Sequence, residues 1–206
     1  MSLRPKEDIT KILLSTPSYL VGEYEERDFL LSIAFDDDFQ YDRHDQEYFI
    51  LTVNTSKPDR SPGALLPDYS FIGDIFGIYL SILYGKRFDN LGLVESLGVH
   101  RMPNYISFRN FKPTLPFNSR RPRRDLEIPL SLREASRINP LFYDETIDIN
   151  FKNILTSAGR FYANALQHAE VQPEVAFLNL ITCGEILSNF YNYNQNDLLD
   201  ERIKID

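Results

Sequence analysis

Three places in this chain of 206 residues group side chains capable of chemistry: a helical carboxylate, a basic run and an acidic loop. Glu185 falls between Leu178, Ile181 and Ile186 in a stretch of helical periodicity. An ionised carboxylate in such company is costly unless an arginine, a lysine or a hydrogen-bond donor faces it. Two readings stand: an auxiliary catalytic acid, or a structural acid satisfied by a nearby amide or by Arg160. The run Arg120, Arg121, Arg123 and Arg124 is suited to nucleic-acid phosphates. With Asp125 and Glu127 beside it, the run also suits a linker that pairs with the acidic loop, and this second reading is favoured.

The loop itself places Asp36, Asp38, Asp42 and Glu47 at positions one, three, seven and twelve of a calcium-binding loop. Tyr41 occupies position six, where the sharp turn requires glycine, so a solvated hairpin tip is the simpler reading and no metal site is expected. His44, His100 and His168 are far apart in sequence, and Cys183 lies in an apolar helix where a thiol is inert. No nucleophile elbow, phosphate-cradling glycine loop or zinc-binding H-E-x-x-H occurs. Hydrolase, kinase and dehydrogenase chemistry therefore has no residues to rest on, and no cofactor is expected.

The elements that must carry these residues are legible from periodicity. Phe29 to Phe35 and Tyr48 to Val53 are short, aromatic and β-branched, and predict two strands joined by the acidic loop. Tyr19 to Tyr24 and Asn104 to Phe108 predict two more. A helix capped by Asp68 or Ser70 should run to Tyr84, stopped by Gly85, with Lys86 and Arg87 favouring its C-terminal end. Gly73 and Gly77 on that helix indicate close packing. Leu130 to Asn139 predicts a short helix stopped by Pro140. From Ile147 to Ala169, apolar residues from Phe151 to Ala169 define one face, with Lys152, Asn153, Thr156, Arg160, Asn164 and Gln167 on the other. A second helix opens at Pro173 and runs to about Tyr191, folded back as an antiparallel hairpin. Phe177, Leu180, Ile181, Gly184, Leu187 and Tyr191 lie on one side of it, and Val175, Leu178, Ile186 and Phe190 on another. Such a helix is expected in the middle of a bundle. Its second cover would be the N-terminal domain, a dimer partner or further chain, the last two being favoured.

Composition limits the class. Hydrophobic residues at 43% and charged residues at 25% are globular values. Ten acidic side chains between Glu23 and Glu47 face only Arg27 and Arg43, a local balance equal to the net charge of the whole chain, −8. Bulk electrostatic binding to nucleic acid is thereby disfavoured. One cysteine excludes a disulfide framework and points to a cytoplasmic location. No membrane span or signal peptide is visible. The expected fold is α+β: a mixed domain over residues 1–129, with antiparallel strands and a helix, ending in the Pro/Arg-rich segment that holds five prolines from Pro103 to Pro129. A helical region over residues 130–206 follows.

The run Ser157 to Ser188 resembles the opening helical hairpin of the HEPN superfamily, in its ApeA-like branch. The likeness rests on the small and aromatic end of the first helix, Pro173-Glu174 at the turn, and Ala176-Phe177-Leu178 leading to Leu180-Ile181 and Glu185. Gly73 to Arg87 and Leu126 to Leu130 resemble the domain that precedes those helices, so about a third of the chain carries the resemblance. The resemblance implies a helical bundle that dimerises, a role in RNA-directed effector or phage defence systems, and in some members metal-independent RNase activity from an Arg-x4–6-His motif. That motif is absent here: Arg160 and His168 are separated by seven residues, and Arg43 and His44 are adjacent. The family reading therefore implies an incomplete HEPN-like region whose motif would follow Asp206, with no RNA cleavage by this chain alone. Glu185 matches a polar position near the family's site. The alternative is a non-catalytic protein-interaction or dimerisation module.

Overall fold

A computed structural model describes residues 8–18, 20–34, 47–55, 67–96, 99–100 and 129–191. Its strands are β1 (Asp8–Thr16), β2 (Leu20–Val21), β3 (Glu23–Glu25), β4 (Phe29–Ile33), β5 (Glu47–Thr55), β6 (Asp89–Ser96), β7 (Val99–His100) and β8 (Leu130–Ser131). The α-helices are α1 (Ser70–Tyr84), α2 (Asn139–Tyr143), α3 (Ile149–His168) and α4 (Pro173–Tyr191), and a 3-10 segment spans Leu132–Ile138. The class is α+β, as expected. Six strands form one antiparallel sheet in the order β3-β4-β5-β1-β6-β7, and β2 pairs in parallel with β8.

The two strands anticipated around the acidic loop pair directly, Phe29 opposite Val53 and Leu31 opposite Leu51. The stretch near Tyr24 supplies β2 and β3 rather than one strand, broken at Gly22, whose φ is 79°. The strand expected at Asn104 to Phe108 lies outside the described residues. Unanticipated is the central strand β1, where Ile12 to Thr16 are buried without alternation. A strand covered on both faces loses the period-two signature by which a half-buried strand is recognised.

Helix α1 lies against β1 and β6 and begins where Asp68 Oδ1 accepts the Ser70 N–H at 2.8 Å. It ends at Gly85, left-handed at φ 62°, whose N–H donates to the Ser81 carbonyl at 3.0 Å. A Cβ at Gly73 would stand 2.7 Å from Ile12 Cγ2, so the helix sits directly on the sheet there, as the small residue implied. Arg87 departs from expectation. Instead of an exposed cation at a helix end, it is buried and pairs through Nη2 with Asp89 Oδ2 at 2.7 Å.

Phe29, Phe76, Tyr79 and Phe142 interlock, with Phe29 and Phe76 edge-to-face at 4.8 Å and Phe76 stacked on Phe142 at 4.9 Å. Leu132, Ala135 and Ile138 join the same core as Ile12, Leu31 and Leu51. The boundary expected at residue 129 thus falls between two stretches that pack on one core. Pro140 does not stop a helix but lies in the first turn of α2, where its missing N–H has no intrahelical partner to lose. Outward from the sheet the layers run α1, then α3, then α4.

Candidate functional site

The helical hairpin was expected to place α4 between two covers; the structure places α3 there. On one side of α3, Gly159 meets α1, where a Cβ would come within 2.6 Å of both Ile78 and Ile82. Thr156 Oγ1 shares a hydrogen bond of 2.8 Å with Tyr79 on the same side. On the other, Phe151 meets Phe190 of α4 with ring centroids 5.9 Å apart. Ala158 and Ala165 follow at seven-residue intervals on that face, both buried. Small side chains let α3 approach a neighbour on both sides. This is why the more enclosed helix of the hairpin carries small residues at its buried positions.

Helix α4 is outermost and packs substantially on α3 alone among the described elements. Ala176 is buried, and Cys183, Ile186, Leu187 and Phe190 are half-buried toward α3. The opposite side is open: Phe177 and Leu178 are each 62% exposed, Leu180 47% and Ile181 41%, with Tyr191 exposed as well. A Cβ at Gly184 would touch nothing within 4 Å. The expectation that Leu178 is covered is overturned, because the sheet and α1 lie on the far side of α3. Ile186 and Phe190 do find cover, but from the same helix.

Glu185 is exposed on this helix. The desolvation argument that singled it out does not apply, because Leu178 and Ile181 beside it face solvent too. Arg160 does not satisfy it and lies on the other side of α3, in a cleft with Asp74. Arg120, Arg121, Arg123 and Arg124 lie outside the described residues, as does the acidic loop from Asp36 to Asp45. Glu47 is described. It opens β5 opposite Thr16, half-buried, and burial pushes its carboxyl above the usual carboxylate range. No cluster of three or more metal-ligating side chains occurs among the described residues. His168 contacts its own helix through Nδ1 and the Asn164 carbonyl at 2.7 Å. Burial raises the Cys183 thiol, holding it away from the reactive thiolate.

A polar cluster that sequence reading missed joins β3 to α2. The Tyr24 hydroxyl donates to Glu26 Oε2 at 2.6 Å, and Asn139 Nδ2 donates to the same oxygen. The Tyr24 hydrogen bond, chiefly, holds the Glu26 carboxyl below its ordinary value. The three residues are 113 to 115 positions apart at the widest, beyond any local pattern. Linked to one another, they serve as a clasp, although the Asn139 Oδ1 is buried without a hydrogen-bond partner among the described residues. None of the described helices is long and apolar enough to cross a membrane. Comparison with known families, curated proteins and solved structures finds no match to this chain.

Proposed function

We propose that this chain is a non-catalytic interaction module that forms a homodimer through the open face of α4. The carrying observation is the arrangement of Phe177, Leu180, Ile181 and Tyr191 around Gly184 on the outermost helix. Together they expose surface on the order of 400 Å², within the range of the largest patch a monomer ordinarily leaves open. With a polar rim this approaches the roughly 800 Å² per partner of a stable interface.

The stripe is also symmetric about its glycine. Phe177 and Tyr191 lie seven residues to either side of Gly184, Leu180 and Ser188 four, Ile181 and Leu187 three. A two-fold axis through Gly184 relating antiparallel helices therefore sets each Phe177 against the partner's Tyr191, with Leu180 facing the small Ser188 and Ile181 facing the outer edge of the half-buried Leu187. Glycine in a helix interior costs about 1 kcal/mol relative to alanine, and no contact with the described residues at Gly184 offsets it. A close crossing between two copies does.

The RNA-directed effector role implied by the HEPN resemblance is the broader proposal into which such a dimer fits. It rests on the resemblance, since no described residue adds an observation that favours RNA. Sedimentation equilibrium of the full chain from micromolar to near-millimolar concentration tests the dimer. A monomer–dimer equilibrium is expected, shifted to monomer by Phe177→Glu and by Gly184→Leu, both at positions open in the single chain. A monomer throughout, or a dimer indifferent to both substitutions, overturns the proposal.

A further inference from the structure

Away from the stripe, a cleft of about 370 Å³ opens between α1, the start of β6 and α3. Two fixed points on α3 hold it open. At one, Gly159 is seated against Ile78 and Ile82 of α1. At the other, Gln167 Nε2 donates at 2.9 Å to Oδ1 of the buried Asp89. These anchors are eight residues apart, about 12 Å along the helix. Between them the facing residues are Ala163 on α3 and Gly77 on α1, too small to fill the space, with Phe88 behind.

The polar lining is Asp74, Asn90, Arg160, Asn164 and Gln167. Asn90 is fully engaged: Nδ2 donates to Asp74 Oδ1 at 2.8 Å and to the Ser70 carbonyl at 3.0 Å, and Oδ1 accepts from the Gly92 N–H at 2.9 Å. That arrangement fixes the Asp74 carboxylate at the α1 edge while leaving it further acceptor capacity. Arg160 and the Asn164 side chain, by contrast, have no hydrogen-bond or ionic partner among the described residues. The cleft therefore offers one cation, one carboxylate and the unused functions of two carboxamides, Asn164 and Gln167. Its size is at the lower end of ligand pockets.

We infer that this cleft binds a small zwitterion of amino-acid size bearing a carboxamide. Its carboxylate is taken by the Arg160 guanidinium and its ammonium by Asp74. Its amide pairs with Asn164 and Gln167, the donors and acceptors that the protein leaves open. A ligand with a single charge leaves one of the two ionic groups without a counterpart and binds more weakly.

Amide chemical shifts of the full chain, titrated with L-glutamine, test this. Glutaramic acid, which lacks the ammonium, and 4-aminobutanamide, which lacks the carboxylate, are titrated in parallel. Saturable shifts confined to residues 74–78, 88–90 and 160–167 are expected with L-glutamine, and at least about tenfold weaker binding with each analogue. Arg160→Gln, at an exposed position, should weaken L-glutamine by a similar factor while leaving 4-aminobutanamide unchanged. Ala163→Leu should fill the cleft and abolish all three titrations. No saturable shift with L-glutamine, equal binding of all three compounds, or binding unaffected by Arg160→Gln in the folded protein overturns the inference. Neither oligomeric state nor the α4 substitutions enter these readouts, so the dimer and the cleft stand or fall separately.

Discussion

At the scale of single residues, a costly commitment among the described residues is the Arg87–Asp89 pair, with side chains only 5% and 4% exposed. Each charge alone would be strongly unfavourable at that depth, and Gln167 supplies a further hydrogen bond to the carboxylate. Arg87→Met should therefore destabilise the chain by about 3–5 kcal/mol, chiefly by removing the cation paired with the buried Asp89 carboxylate. Adding Asp89→Asn removes the stranded charge while keeping an oxygen for Gln167, and should recover most of the loss. Denaturant unfolding of the single and double variants measures this, and a double variant as unstable as Arg87→Met would show that packing rather than charge dominates. None of this was legible beforehand. Lys86 and Arg87 share a helix-end position in sequence, and only the turn after Gly85, which carries Arg87 inward beside Asp89, separates their roles. Glu185 misled for the converse reason: apolar neighbours in a helix imply burial only when something lies across from them.

At the scale of elements, periodicity located the long helices and the β4–β5 pair, and the stop at Gly85, because each of these signals is local. It did not rank the helices by depth. The sequence of α4 reads as apolar on two sides and that of α3 as apolar on one, yet α3 is the helix of the pair covered on both sides. Side-chain size sets how closely two backbones approach, and approach on two sides requires small residues on both. Two glycines in the hairpin test this. Gly159→Ala pushes a Cβ into Ile78, a buried β-branched side chain with little room to move. Overpacking should outweigh the gain in helix propensity, for a net loss of about 1–2 kcal/mol. Gly184→Ala meets open space and should stabilise dilute protein by roughly 1 kcal/mol. Thermal unfolding at low concentration compares them, and equal effects of the same sign would contradict the assignment of α3 as the sandwiched layer. The central strand β1 escaped detection by related physics, since burial on both faces erases the alternation that marks a strand.

At the scale of the whole molecule, stability should decline from the sheet outward through the layers. β1 and β5 are paired on both edges and share the aromatic core with α1, so their amides open only with global unfolding. Helix α3 is held on two sides. Helix α4 is held on one, through Ala176, Ile186, Leu187 and Phe190, while Phe177, Leu178, Leu180 and Ile181 stay exposed. Hydrogen exchange at dilute concentration should then rank α4 amides lowest in protection among the long helices, α3 next, and α1 with β1 and β5 highest. Concentrating the protein changes only one term in this ordering if two copies meet through the open stripe: protection of α4 rises as mass action fills the dimer, while α1 and the sheet keep their values until the global limit itself shifts. Equal protection of α1 and α4 in the dilute chain would mean that the one-sided contact with α3 suffices to bind α4 into the cooperative core, and the apolar stripe would lose its claim to be an unfinished packing surface.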